Sequence, residues 1–268
     1  MPSLRELKKR LKSAGTIEQL SGAMRTASTA KYVKAGASLS SFSPYAAALK
    51  GACDLAGVRS GNAERPEGRV VILISGNHGL CGGYHHELFA FFEKNVLRDG
   101  DAVIAAGKKA LDHCRAAGVP AVATFDISDV PTFEEAGELI KLIRSASDGG
   151  KAAVAVFQRF INMMKSSPSA EELSFGGGEA GPQDDGGVIF IPDRGSVSAA
   201  LADMVPQSEL YEILLSASAA VQSATAVAMR SAGDNAKKSI SVLSGRINRM
   251  RQASVTESVI ETSAGIKE

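Results

Sequence analysis

The end of the chain limits what it can fold into. From Ser208 to Ile260 there is no proline and there are only two glycines, Gly233 and Gly245. Apolar and small residues recur at helical spacing through Leu210, Ile213, Leu214, Ala217, Val221, Ala224 and Ala228, then Ile240, Leu243, Ile247 and Met250. This pattern predicts one helix of roughly 80 Å at 1.5 Å per residue, against about 30 Å across a small domain. Such a helix must leave any globular body, so its apolar stripe needs a partner.

The first residues offer one. Leu4, Leu7, Leu11, Ala14, Ile17, Leu20, Met24 and Ala27 step by three or four, which predicts a second long helix reaching Ser40 or beyond before Pro44 interrupts it. Both terminal segments are rich in Ala and Ser, and small residues let two helices approach closely, so each stripe is expected to cover the other in an antiparallel pair. The chain carries 30 basic and 29 acidic side chains, net +1, which gives no general argument for nucleic acid. The distribution is uneven: Arg5, Lys8, Lys9, Arg10 and Lys12 crowd the start, followed by Arg25, Lys31 and Lys34, with only Glu6 and Glu18 opposing them before Asp54. A basic amphipathic helix of this kind is a solvated face, a surface for an acidic partner, or a membrane-surface segment. No run of about 18 apolar residues predicts a bilayer span, and the charges between Leu4, Leu7 and Leu11 do not form a secretory h-region. Cys53, Cys81 and Cys114 have neither disulfide-framework nor zinc spacing, which suits a reducing, cytosolic compartment.

Between the two helices the pattern changes. Residues 57–68 are rich in Gly, Asn, Glu and Pro and read as a linker. Strands are expected over 69–75, 101–106, 121–125 and 151–160, alternating with helices over 85–97, 108–117 and 133–147, as in a three-layer α/β domain with a mainly parallel sheet. A Gly-rich loop is expected over 166–187, then a strand over 188–191. The chain thus divides into an N-terminal coiled-coil helix (1–57), an inserted α/β domain (66–192) and a C-terminal coiled-coil helix (206–268).

Three motifs bear on chemistry. Gly79, Leu80, Cys81, Gly82 and Gly83 follow the first strand, and such a turn can cradle phosphate on backbone amides. Its spacing does not fit a dinucleotide fingerprint and no Gly-Lys-Ser/Thr follows, so a tight turn or a protein contact surface is favoured. His78, Cys81, His85 and His86 lie close in sequence, yet no second cluster completes a zinc site, which favours a solvated loop. Glu87, Glu93, Asp126 and Asp129 are scattered and read as surface charges, leaving no convergent catalytic set. Arg249, Arg251 and Gln252 place long donors near the end of the last helix, suited either to carboxylates at an interface or to a solvated face.

Several tracts, in order along the chain, resemble the gamma subunit of F-type ATP synthases. Ala23 and Met24 through Lys31 are similar to the family's Ala-Met-x-Met-Val-Ala-Ala-x-Lys signature, and Gly79 to Gly83 to its Gly-Leu-Cys-Gly-Gly turn. Phe157 to Met164, Ala228 to Ala236, and Asn248, Arg249, Arg251, Gln252, Ala253 and Thr256 match three further family segments. Thr26 stands where the family usually has a second Met, and His78 where an Arg precedes the glycine turn.

The resemblance implies a long antiparallel coiled coil of the two ends with an inserted Rossmann-like three-layer domain. It implies a non-catalytic rotor without cofactor or metal, turned by a proton-driven c-ring and driving ATP synthesis in the beta subunits. Implied partners are the alpha/beta hexamer, the epsilon subunit and the c-ring, with no nucleic acid. The location implied is peripheral, on the cytoplasmic side of a bacterial plasma membrane. Met24, Lys31, Arg249, Arg251, Gln252 and Thr256 would meet the hexamer, and Gly79, Leu80, Cys81, Gly82 and Gly83 the epsilon subunit or c-ring.

Overall fold

The computed structural model describes residues 3–56, 69–147, 152–175 and 190–265. Helix α1 (Leu4–Ala56) opens the chain and helix α5 (Arg194–Gly265) closes it. Neither helix breaks at its proline: α1 runs through Pro44, where an interruption was expected, and α5 begins before the expected 206 and runs through Pro206. An interior proline removes one backbone hydrogen bond and crowds the preceding turn, and here side-chain packing on both sides of each proline outweighs that cost. Beside Pro44, the Phe42 ring meets Tyr211 edge-on at 4.7 Å and Phe133 at 5.9 Å, and Ser43 donates to Glu212. Beside Pro206, Val205 packs with Leu49 and Cys53, and Ser208 is buried. At its start α5 is capped by Asp193, whose carboxylate accepts from the Ser196 amide at 2.8 Å and its hydroxyl at 2.7 Å.

Between the helices lie β1 (Arg69–Ile74), α2 (Tyr84–Phe91), β2 (Ala102–Ala106), α3 (Lys108–Ala117), β3 (Ala121–Phe125), α4 (Phe133–Ala146), β4 (Ala152–Asn162) and β5 (Lys165–Glu172). The helix expected over 85–97 ends early, because Phe92–Val96 widens into a π-turn before Leu97 turns extended. The sheet order is β3-β2-β1-β4-β5. The first four strands are parallel, with Val71 opposite both Val103 and Val154. β5 runs antiparallel to β4 over residues assigned to a loop from sequence. Its Lys-Ser-Ser-Pro-Ser-Ala-Glu-Glu composition hides it, but at a sheet edge a strand may carry polar residues and Pro168, which needs no ladder donor on its outer side. The linker expected over 57–68, most of the loop over 166–187, and positions 188 and 189 lie outside the described residues; Phe190 and Ile191 are not in a strand.

Two units divide the chain. The larger comprises residues 28–225. On one face of its sheet, Val70, Ile72, Ile74 and Ile104 pack against Leu139, Ile140 and Ile143 of α4 and against Leu210, Ile213, Leu214 and Ala217 of α5. On the other face, Val71, Leu73, Val103 and Val156 meet Leu88 and Phe92, Ala110 and Cys114 of α3, and Ala220 of α5. This corrects the expected pairing of helix with helix at Leu210 to Ala217: here the stripe of α5 is the core of the α/β domain. β-branched strands present a broader apolar surface than an Ala- and Ser-rich helix, so the larger side chains go there. Within this unit α1 runs antiparallel to α5, with Ser43 beside Glu212 and the Ala56 carbonyl beside Ser198.

The smaller unit joins residues 1–27 and 226–268. Leu7, Ala14 and Ser21 are its buried positions on α1, seven residues apart, and Met229 and Ala236 keep the same interval on α5. A seven-residue repeat is a coiled-coil seam. A Cβ added at Gly233 would meet Ser21 Cβ at 3.8 Å, a close approach that small residues allow. The expected stripe through Ile17 and Leu20 is not the buried one, since these are 53% and 58% exposed. The seam runs through Leu7 and Met229 but otherwise through the small residues Ala14, Ser21 and Ala236.

By length and composition α5 contains an 18-residue window apolar enough to cross a membrane, with mean hydropathy 1.3, but 67% of that window is buried inside the protein. Its apolarity is that of a core helix.

Candidate functional site

In open α/β sheets, ligands bind beyond the carboxyl ends of the strands, where the strand order reverses. Here that place lies between β1 and β4, and the Gly-rich tract Gly79 to Gly83 leaves β1 beside it. The backbone does bend sharply: Leu80 has φ +66° and Gly82 φ +63°. Leu80 is exposed, while Cys81 is folded inward into the core under α2.

The crevice itself is filled. Ala217, Ser218, Val221 and Gln222 of α5 lie over it, leaving a depression of about 30 Å³, room for no more than a water or two. A Cβ at Gly76 would already stand 3.0 Å from Val221 Cγ2. The amides at the start of α3 are also committed. Lys108 N–H donates to Asn77 Oδ1 at 3.0 Å and Lys109 N–H to the Gly76 carbonyl at 3.2 Å. A nucleotide phosphate would have to displace both the helix and these bonds.

The histidine and cysteine tract does other work. His85 Nε2 lies 3.0 Å from the His78 carbonyl, which makes it the donor, and its ring stacks on Phe89. Burial pushes the His85 pKa down, against the opposing pull of the His78 carbonyl, and nearby Lys109 lowers it further. Burial raises the Cys53, Cys81 and Cys114 thiols above their ordinary range, which suits packing more than nucleophilic chemistry. Tyr84, fully enclosed, is pushed up most, chiefly by desolvation.

The six residues expected to meet a hexamer do not form one patch. In the smaller unit, Met24 is half-buried on α1, and Arg249, Arg251, Gln252 and Thr256 are exposed on α5. At 100° per residue, Arg249, Gln252 and Thr256 share a face, whereas Arg251 lies about 160° from Arg249. Thr256 Oγ1 donates back to the Gln252 carbonyl at 2.9 Å. Lys31 belongs to the larger unit, where its ammonium pairs with Asp129. Asp129, read from sequence as a surface charge, is thus a partner of α1. Its carbonyl also accepts from Ser218 Oγ of α5 at 2.6 Å. Sequence spacing held no sign of this, because the three residues come from distant parts of the chain.

Known proteins can now be set beside this geometry. The ATP synthase family model matches residues 3–267. The ATP synthase gamma chain of Moorella thermoacetica is 30% identical, over 99% of this chain and 98% of its own length. That of Desulforamulus reducens is 28% identical with the same coverage. Among solved structures, a chain of the Euglena gracilis mitochondrial ATP synthase OSCP/F1/c-ring assembly superposes with TM-score 0.72 at 14% identity, covering 98% of this chain and 93% of that one. A chain of the same organism's ATP synthase rotor gives 0.68, also at 14%, with 94% and 98% covered. These two likenesses concern the fold alone. On the full-length family match and the similarity to the Moorella protein, the chain belongs to the ATP synthase gamma-chain family.

Proposed function

We propose that this chain is the central rotor shaft of a proton-translocating ATP synthase, a non-catalytic subunit that passes rotation of a c-ring to the catalytic beta subunits. The observation that carries the reading is the position of α5. Its inner part fills the crevice where an α/β enzyme would bind substrate, and its outer part belongs to a separate unit with the chain's first residues. The α/β domain therefore serves as a mount for the helices. The family relationship supplies the setting.

The mechanism requires unequal contact. A shaft that touched every beta subunit alike would shift no equilibrium among their conformations, however tightly it bound. Two helices of unlike sequence make an asymmetric surface, so each beta subunit meets a different face as the shaft turns. Arg249, with Gln252 and Thr256 on one face and Arg251 across the helix from it, would present guanidinium forks to acidic loops in different directions. The exposed basic side chains Arg5, Lys8, Lys9 and Arg10 would add charge contacts weakened by salt, and the half-buried Met24 an apolar one. Leu80 and the Gly79 to Gly83 turn would face the epsilon subunit or the c-ring. The complex would sit on the cytoplasmic side of a bacterial plasma membrane, with this chain held there through its partners.

Co-purification tests the assignment. Native membranes solubilised in mild detergent and captured through this chain should yield alpha, beta, epsilon and c subunits; capture of the chain alone would refute the reading. Within the complex, Arg251→Ala with Gln252→Ala should lower ATP synthesis severalfold at an unchanged level of assembly. Synthesis at the wild-type rate would remove these residues from torque transfer.

A further inference from the structure

The loop between β3 and α4 is tied to three other parts of the larger unit within three residues. The Asp129 carboxylate holds the Lys31 ammonium of α1. The Asp129 carbonyl accepts from Ser218 Oγ of α5 at 2.6 Å, and the Ile127 carbonyl accepts from Asn77 Nδ2 at 2.6 Å. Asn77 in turn accepts from the first amide of α3 at 3.0 Å. The loop is stiffened from its far side, where the single Ser128 hydroxyl proton is shared between the Val130 carbonyl and the carboxylate of Glu135 in the α4 capping box.

α1 needs such a tie more than α5 does. α5 is locked by Leu210, Ile213, Leu214, Ala217 and Ala220 in the two cores. Among the described residues α1 contributes none to these two cores; its own apolar cluster is Leu49 and Cys53 with Val205, and its buried positions nearest Lys31 in sequence are Ser28 and Ala35. There the Lys31 pair and the Tyr32 ring, 5.6 Å from Phe160, hold it to the larger unit. In sequence, Lys31 stands four residues past the border at Ala27, and Ser218 seven before the one at Thr225.

We infer that the β3–α4 loop is a clamp that fixes the rotational setting of α1 against α5, with Lys31 and Asp129 as its positioning residues. This rests on the rotor reading above and deepens it: torque reaching the α/β domain passes directly into α5 and, through Phe42, Ser43, Leu49 and Cys53, into the later part of α1, while the phase of α1 around Lys31 is set at the clamp. Lys31 then acts on its own chain, by orienting α1, and the contacts α1 makes with surrounding subunits depend on that orientation. Releasing the clamp lets α1 lag behind α5, so hydrolysis and ion movement lose their fixed ratio.

The test uses membrane vesicles carrying the whole complex. ATP hydrolysis and the membrane potential it builds, followed with a potential-sensitive dye, are measured for Lys31→Asp, Asp129→Lys and the double reversal. Each single reversal sets like charges face to face and should cut the potential built per ATP hydrolysed severalfold; the double reversal restores opposite charges and should recover most of it. Lys31→Gln and Asp129→Asn remove one charge at similar bulk, and serve if a reversal fails to assemble; they should give a smaller loss in the same ratio. An unchanged ratio in the single variants, or a double reversal no better than either single one, would overturn the clamp. If the wild-type chain itself does not assemble with alpha and beta subunits, the rotor reading fails instead, which co-purification shows separately.

Discussion

Leu214→Ala probes the division of labour along α5. Leu214 is 1% exposed and packs in the core with Ile72, Ile104 and Leu139. The substitution removes three carbons, about 2.5 kcal/mol of transfer free energy at ~0.8 kcal/mol each. The cavity it leaves between a helix and a sheet closes only in part, which raises the expected cost to about 3–5 kcal/mol. A loss of ~3 kcal/mol corresponds to more than 100-fold in the population of the open state. Native-state hydrogen exchange of the β1 amides, Val70 to Ile74, reads that population directly where those amides open only with the whole domain. They should exchange at least 100-fold faster in Leu214→Ala, while Leu20→Ala, at a 58% exposed position, should change stability by less than about 0.5 kcal/mol. Were Leu214→Ala to leave β1 exchange as slow as wild type, the inner part of α5 would not be core, and the filled crevice would lose its basis.

Gly107 has φ +95°, and a Cβ there would lie 2.2 Å from the Ser75 carbonyl oxygen, so Gly107→Ala should cost more than about 4 kcal/mol. Gly118→Ala, with φ +69° and nothing within 4 Å, should cost only about 1–2 kcal/mol; equal thermal stabilities for the two variants would contradict this. Because burial lowers the His85 pKa, the unfolded chain binds the proton more readily, so His85 favours folding fully above its unfolded value of about 6.5 and less as pH falls below it. His85→Gln, which keeps a donor for the His78 carbonyl, should therefore flatten the acid side of a stability-against-pH curve, and an unaltered slope would show that His85 is not responsible.

The residues that were legible from sequence were those whose local pattern and final surroundings agree. The strand Val70 to Ile74 is apolar throughout because both its faces are covered, and α3 and β3 fall where helix and strand patterns begin and end. The glycine turn was visible, as was its misfit to a dinucleotide fingerprint, whereas Val221 lying against Gly76 was not. What sequence concealed came from contacts distant along the chain. An apolar stripe on a helix shows that something covers it and not what, so Leu210 to Ala217 was matched to the other helix rather than to the sheet. β5 was hidden by polar composition suited to an edge. The coiled-coil seam was legible only in part: Leu7 and Ala14 lie in the expected stripe and are buried, but Ser21 and Ala236 are buried as well while the larger Ile17 and Leu20 are exposed. At the candidate site, Arg249 and Arg251 are near in sequence and face apart, whereas Lys31, Asp129 and Ser218 are far apart in sequence and meet.

The account rests most directly on movement of this chain within its complex. Met164, at the tip of the β4–β5 hairpin, is 79% exposed, while the native cysteines Cys53, Cys81 and Cys114 are all buried, so Met164→Cys offers an accessible place for a probe on the α/β domain. With the alpha/beta hexamer fixed to a surface and ATP supplied, the probe should turn continuously in one direction at a rate that follows hydrolysis. A probe that keeps its orientation while the same molecules hydrolyse ATP would contradict the rotor.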